Sequence, residues 1–520
     1  MKSLKKYVLP GIGLAGGLFS HSCSTDGRTD GNDQPLVPNI IYILADDLGY
    51  GELGVYGQQK IETPNIDALA NAGMIFTRHY TGAPVSAPAR NVMLTGLHTG
   101  NSQIRGNHEW GERGNVRSYL AMLADSTLEG QHPMAQGTIT LAHLLQDAGY
   151  NTALIGKWGL GAPHTNSVPN KMGFDYFMGY NCQRQAHTYY PVYLYENFNR
   201  VYLNNDTVAP HTRLPEEADP YDPASYAPYN LTDYACDVMF DAMSRHLKEV
   251  SPHKTGKPFF LYWATPIPHV PLQAPQRWVD YYAEKFGDEE PYLGQHGYFP
   301  HRYPRAAYAA MVSYLDERVG QLIQQLKDMG VYENTLIVFT SDNGPSFSGG
   351  ADSPWFDSNK PFKNEYGWSK GFLYEGGIRV PMIATWPGVI EAGSVTDHVS
   401  AFWDVLPTFC EIANAQVTVE TDGISFLPAL QGKPQPEHEF LYWELHEYQG
   451  QQAVRMGNWK AIRKNIFGGN MEIELYDLEN DIQEQNNLAA KYPELVSQME
   501  RIMRESHKPA EIEKFNFSFK

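Results

Sequence analysis

The sequence predicts an α/β fold: a large, mostly parallel sheet sandwiched by helices, followed by a smaller C-terminal α+β domain with an antiparallel sheet. Three observations carry this. Short apolar runs rich in β-branched residues alternate with amphipathic stretches, the pattern of parallel strands buried on both faces. After residue 430 the pattern changes to closely spaced strands with short connections. The chain has 520 residues, 42% of them hydrophobic, which is long for one core, since single cores stop growing near about 250–300 residues.

The elements follow in order. Ile40-Ile41-Tyr42-Ile43-Leu44 is a buried strand. Residues 64–73 read as a helix with Thr63 as N-cap, Pro64 in the first turn and Gly73 as C-cap. Ala148-Gly149-Tyr150 closes another helix, and Thr152-Ala153-Leu154-Ile155 is the next strand. Residues 258–264 (PFFLYWA) form a strand, 305–327 a helix and 335–340 (TLIVFT) a strand. Residues 38–430 are thus the expected large α/β domain and 431–520 the C-terminal one, opened by the linker-like QGKPQPEHE at 431–439. Residues 440–446, 452–463 and 471–476 read as antiparallel strands and roughly 493–506 as a terminal helix begun by Pro493.

Residues 1–22 read as an export signal: Lys2, Lys5 and Lys6 precede a short apolar run over 7–20, too short to span a membrane. Cys23 after Ser22 resembles a bacterial lipoprotein cleavage site, which would give an outer-membrane lipid anchor and a periplasmic or cell-surface location; Ser20 and His21 fit that pattern poorly, so plain secretion stays open. The polar stretch 23–37 reads as a tether. Of four cysteines none forms a CxxC pair, which excludes a zinc ribbon; Cys182, Cys236 and Cys410 read as buried free thiols. Lys plus Arg is 40 and Asp plus Glu 59, a net charge of −19, and no basic footprint for nucleic acid exists.

Ligands of open α/β sheets bind beyond the carboxyl ends of the strands. There the first strand ends in Asp46-Asp47, the TLIVFT strand in Ser341-Asp342-Asn343-Gly344, another in Gly156-Lys157-Trp158, and PFFLYWA runs into Thr265–His269. Asp46, Asp47, Asp342 and Asn343 are hard oxygen donors that suit Ca²⁺ or Mg²⁺ better than Zn²⁺. Three carboxylates packed together repel one another without a cation. The loop Pro84-Val85-Ser86-Ala87-Pro88-Ala89-Arg90 then leads into a helix, whose N-terminus favours anions. It is not a G-x-S-x-G elbow, which excludes an ordinary serine hydrolase. If 88–95 is helical, Arg90 aims a bidentate donor at the same anion as Ser86.

Ser86-x-Pro88-x-Arg90-xxx-Leu94-Thr95-Gly96 resembles the maturation signature of type I, formylglycine-dependent sulfatases, arylsulfatase-like members of the alkaline phosphatase superfamily. The resemblance covers roughly residues 37–510: Asn39–Gly57, Gly156-Lys157-Trp158, the His269 loop, Ser341–Gly344 and Glu375–Pro381 match in the family's order. It implies an alkaline-phosphatase-like fold and a sulfuric ester hydrolase in which a formylglycine-generating maturation enzyme oxidises Ser86 to formylglycine. One hydroxyl of the hydrated aldehyde would attack sulfur and the other would expel sulfate. It further implies Ca²⁺ held by Asp46, Asp47, Asp342 and Asn343, with Arg90, Lys157, His269 and Lys370 around the remaining sulfate charge. The chain departs from the family at Gly159, where a histidine is common; His164 and His187 are the candidates to replace it.

The substrate implied is a sulfated glycan attacked from its end, with the GKWGLG and QRQAH stretches leaning towards galactose or N-acetylgalactosamine sulfated at O3 or O4. Eleven tyrosines between 176 and 234 suggest a sugar-stacking wall in which Arg184 and His187 select the sugar, with Trp443 or His446 bordering the pocket. Two alternatives stand beside this: a phosphodiesterase or phosphonate hydrolase of the same superfamily, and a catalytically silent glycan-binding lipoprotein.

Overall fold

A computed structural model describes residues 37–517. The expected signal and tether, Val37 apart, lie outside the described residues. The chain forms β1 (Asn39–Ala45), β2 (Met74–Tyr80), β3 (Asn151–Lys157), β4 (Tyr176–Tyr180), β5 (Tyr193–Glu196), β6 (Asn199–Tyr202), β7 (Phe259–Ala264), β8 (Thr335–Ser341), β9 (Arg379–Thr385), β10 (Ser394–Thr396) and β11 (Ser400–Ala401). These make one sheet in the order β10-β2-β9-β8-β1-β7-β3-β4-β5-β6, with β11 beside β2. The centre, β8-β1-β7-β3-β4, is parallel, and antiparallel pairs flank it through β9 on one side and β5 on the other.

The continuous apolar runs have the structural consequence expected of them. Ile40, Tyr42 and Leu44 face one core with Phe260, Tyr262, Leu336 and Val338; Ile41, Ile43 and Ala45 face a second with Leu261, Trp263, Ile337 and Phe339. Alternate side chains of a strand point to opposite faces, so a strand covered on both sides needs an apolar residue at every position. The helix Pro304–Asp328 closes the second core with Tyr308, Met311, Val312 and Leu315.

A second sheet follows, β12 (Leu441–Leu445), β13 (Gln451–Met456), β14 (Trp459–Lys464) and β15 (Glu474–Asp477), antiparallel throughout. The stretch read as one strand over 452–463 is therefore a hairpin, turned at Gly457-Asn458 between the paired Met456 and Trp459. Its pleat sorts the side chains: Leu441, Trp443, Ala453 and Ile462 join the first core of the large sheet, while Tyr442, Val454, Ala461 and Leu475 pack on Met499, Ile502 and Met503 of the helix Pro493–Ser506.

Two local expectations need correction. The helix near residue 64 spans Pro64–Asn71 and ends on Ala72, so Gly73 is not its cap. Thr63 precedes it without capping it: its hydroxyl accepts from Gly54 N–H at 2.9 Å and donates to Asp67 at 3.1 Å. Cys182, Cys236 and Cys410 are buried free thiols, as expected.

Candidate active site

The register of β1 on β8 builds the centre of the site. Ala45 pairs with Ser341, so Asp46-Asp47 and Asp342-Asn343 leave adjacent strands side by side, joined by the bond from Asp342 N–H to the Ala45 carbonyl at 3.0 Å. Lys157 is the last residue of β3, two strands away across β7. Ser86 opens the helix Ser86–Thr95, which puts Arg90 one turn in. All of these side chains are buried.

The Ser86 hydroxyl donates to Asp46 Oδ1 at 2.9 Å, and Lys157 Nζ lies 2.5 Å from Asp46 Oδ2 and 3.5 Å from Ser86 Oγ. Arg90 sends Nε and one terminal nitrogen to Asp342 Oδ2 at 3.2 and 3.0 Å and the other terminal nitrogen to the Lys157 carbonyl at 2.7 Å. Lys370 Nζ donates to Asp47 Oδ2 at 2.6 Å. His269 Nδ1 lies 2.5 Å from the Val270 carbonyl, which can only accept, so Nδ1 carries the proton and the Nε2 lone pair faces Asp47 Oδ2 at 3.8 Å.

Charge orders these groups. Burial alone would raise Asp46, but Lys157, His269, Arg90 and Lys370 together hold it far below the usual carboxylate range. Asp342 goes the other way, pushed up to about 7 by burial and by the Asp46 charge. Burial and then Lys370 push His269 down to about 4. Burial lowers Lys157, and Asp46 only partly opposes it.

The donor set suits a hard cation. Donor atoms of Asp46, Asp47 and His269 come within 4.8 Å of one another. Asn343 Nδ2 donates to Asp47 Oδ1 at 2.8 Å, whereas its buried Oδ1 has no hydrogen-bond partner. A carbonyl oxygen left unpaired beside carboxylates is the arrangement a bound cation satisfies.

A cavity of about 270 Å³ opens over this cluster. His269 and Lys370 lie at its base, with Arg184, His187, Gln183, Glu109, Tyr298, Tyr366 and Tyr448 among its walls. The ring of His187 stacks on His269 with centroids 5.6 Å apart. Arg184 pairs with Glu109, which also holds Arg117 at 2.9 Å. His164 is not brought here: it bonds Ser126 at 2.7 Å and lines a separate cavity. At Gly159 the backbone is left-handed, with φ +73, and a Cβ there would lie 3.1 Å from Gln183 Oε1. A glutamine amide thus occupies the space beside this position.

The expected tyrosine wall is absent. Tyr180, Tyr189, Tyr193, Tyr195, Tyr226, Tyr229 and Tyr234 are buried, most in the cores, and none of the eleven tyrosines lines the cavity. Trp443 and His446 do not line it either; Trp443 is buried and donates to the Thr81 carbonyl at 2.8 Å. The tyrosine rings that do line it come from three remote segments, around 298, 366 and 448, where no local sequence signal marks them.

Comparison with known proteins decides the family. The family model described as Sulfatase matches residues 38–415, most of the chain, and a second, N-sulphoglucosamine sulphohydrolase, C-terminal, matches 364–509. The chain belongs to the sulfatase family. Similar relatives of this sulfatase include the N-acetylgalactosamine-6-sulfatase of Canis lupus familiaris, 31% identical over 82% of this chain and 72% of that protein. Arylsulfatase A of Bos taurus is 32% identical over 82% and 74%. Among solved structures, Ps i-CgsB in complex with k-i-k-neocarrahexaose superposes with a TM-score of 0.71 at 28% identity, covering 91% of this chain and 93% of that one. The enzyme is therefore a sulfuric ester hydrolase, and of the segments that carried the family resemblance those with Asp46-Asp47, Ser86, Arg90, Lys157, His269 and Asp342-Asn343 converge on its site, whereas Glu375 pairs with Lys460 of the second sheet.

Proposed function

We propose that this sulfatase is an exported enzyme that removes a sulfate ester from the terminal sugar of a glycan, with Ser86 matured to formylglycine and Ca²⁺ held by Asp46, Asp47, Asp342 and Asn343. The observation that carries this is the position of Ser86: at a helix N-terminus, 2.9 Å from Asp46 and 3.5 Å from Lys157. A matured residue 86 supplies a geminal diol as nucleophile, and a divalent cation supplies Lewis-acid charge for the ester oxygens. The other groups act through position and charge. Asp46 accepts the hydrogen bond of the residue-86 hydroxyl and orients it. Arg90, fixed by Asp342 and the Lys157 carbonyl, holds its guanidinium in place before any anion arrives, so little reorganisation remains to be done during reaction. Lys157 and Lys370 offset the sulfate charge, and His269 borders the same space as a neutral imidazole.

A carbohydrate substrate is supported by the oligosaccharide bound to Ps i-CgsB and by the sugar sulfate in the name of the Canis lupus familiaris relative. The net charge of −19 favours a terminal residue over the middle of a long polyanion. Mass spectrometry of the Ser86 peptide, from protein made beside a formylglycine-generating maturation enzyme, tests the reading together with sulfate release from defined sugars. The expected peptide is two hydrogens lighter than serine, and release is expected from 3-O- or 4-O-sulfated galactose or N-acetylgalactosamine. Full activity with an unmodified serine would overturn the formylglycine, and release from aryl sulfates alone would overturn the glycan substrate.

A further inference from the structure

Tyr298 and Tyr448 both line the catalytic cavity, and both have left-handed backbones, φ +65 and +50. A bulky side chain at positive φ is strained, and such residues persist where the surrounding structure enforces them, most often at ligand clamps and active sites. His211 shares this conformation, with φ +68, and packs on Tyr298 with ring centroids 4.8 Å apart.

The two tyrosines belong to different sides of the site. Tyr298 contacts the rings of His269 at 5.8 Å and His187 at 5.0 Å. Tyr448, on the turn between β12 and β13, lies over the residue that follows Lys370. That residue is Gly371, where a Cβ would come 2.5 Å from the Tyr448 ring. Its absence is what lets an aromatic ring from the small sheet settle beside Lys370. Phe372 supports the ring at 5.3 Å and in turn touches Tyr366 at 5.6 Å. Tyr448 nevertheless remains 43% exposed and Tyr366 69% exposed, so well-anchored aromatic surface is left uncovered at the cavity mouth. Both His269 and Lys370 face Asp47, so an ester held between them would carry its organic part out between these rings.

We propose that Tyr448, with Tyr298 on the His269 side, is the sugar-stacking subsite of this enzyme, and that its ligand is the pyranose ring bearing the sulfate. Flat rings offer amphipathic faces to the C–H side of a sugar, while Arg184, His187 and Gln183 in the same walls supply polar partners for hydroxyls. This deepens the glycan reading and rests on it.

The test uses Tyr448→Gly and Tyr448→Phe in the matured enzyme. Glycine takes the left-handed turn without strain, so loss of the ring is separated from loss of the turn. For Y448G, KM on the best sulfated sugar should rise at least about tenfold with kcat within about threefold, the pattern of lost uniform binding. Inhibition by inorganic sulfate, which reads the anion site alone, should stay within about twofold, and the thermal midpoint should hold or rise. Y448F should behave as wild type. An unchanged KM in Y448G overturns the inference while leaving the glycan reading intact. Equal weakening of sugar and inorganic sulfate overturns it too, by placing the role of Tyr448 at the anion site. If the wild-type enzyme releases sulfate from no sugar, the glycan reading fails and the inference with it.

Discussion

Arg90 illustrates how one side chain binds several parts of the site together. Its fork holds Asp342, and its third nitrogen holds the carbonyl of Lys157, so a single guanidinium fixes two strand ends relative to the helix that Ser86 opens. Lysine keeps the charge but not the planar fork. Arg90→Lys should lower kcat by about 10²–10³-fold, the range seen when one preorganised donor is removed from a developing anion. Sulfate release by matched matured proteins measures it, and a loss under threefold would show that charge alone suffices. At this scale much of the site was legible. Asp46, Asp47, Asp342, Asn343 and Lys157 sit at strand ends and carry their chemistry in short motifs, so adjacency followed from topology. Gln183 beside Gly159, and Tyr298 and Tyr448, were not legible. Gln183 opens a short 3-10 helix and the two tyrosines sit on a bend and a turn, and the place of each depends on distant packing; the 176–234 tyrosines go mostly to the cores because composition does not distinguish a ring in a core from a ring in a wall.

Among elements, the helix Pro64–Asn71 shows why strands and long helices were easier to read than caps. The apolar periodicity marked the helix, but its N-terminus is satisfied by Asp316 of the helix Pro304–Asp328, 250 residues away. Asp316 accepts from Ile66 N–H at 2.7 Å, from Asn65 N–H at 3.2 Å and from the Asn65 amide at 2.7 Å. A cap supplied by another element leaves no trace beside the helix it caps, and Thr63 was assigned the role only because it stands next to the first turn. Burial raises the Asp316 carboxyl from 3.8 to about 6. The folded value lies above the unfolded one, so the unfolded chain loses its proton first. The stability due to this group is full below about pH 3.8, declines as pH rises, and levels off above about 6. The stability difference between wild type and Asp316→Asn should therefore shrink by about 2 kcal/mol between pH 4 and 6 and stay flat from 7 to 8. Denaturant melts at each pH measure this, and a difference that does not change over pH 4–6 would refute the assignment.

At the level of the whole molecule, the small sheet is fastened to the large one through buried polar contacts as well as apolar ones. Gln451 on β13 donates to the Gly371 carbonyl at 2.7 Å and accepts from Leu373 N–H at 3.1 Å, so the loop that carries Lys370 is clipped to the C-terminal sheet. Lys460 on β14 is fully buried between Glu375 and Glu484, 2.9 Å from each. Burial raises both carboxyls. For Glu375 the charges of Lys460, Arg379 and Arg455 overcome it and bring the group to about 2, whereas Glu484 stays at about 7. Glu375 also takes the Tyr80 hydroxyl at 2.8 Å, which carries the contact into β2 of the large sheet. Removing the lysine strands buried negative charge at the junction, a change that costs about 3–5 kcal/mol when one partner of a buried pair is lost. Because this junction also positions Lys370 and Tyr448, Lys460→Met should lower the thermal midpoint of the whole enzyme in one cooperative transition and reduce sulfate release in parallel. Calorimetry beside an activity assay distinguishes the cases. A separate low-temperature transition with full activity below it would mean that the small sheet melts independently and that its contact with the Lys370 loop is dispensable.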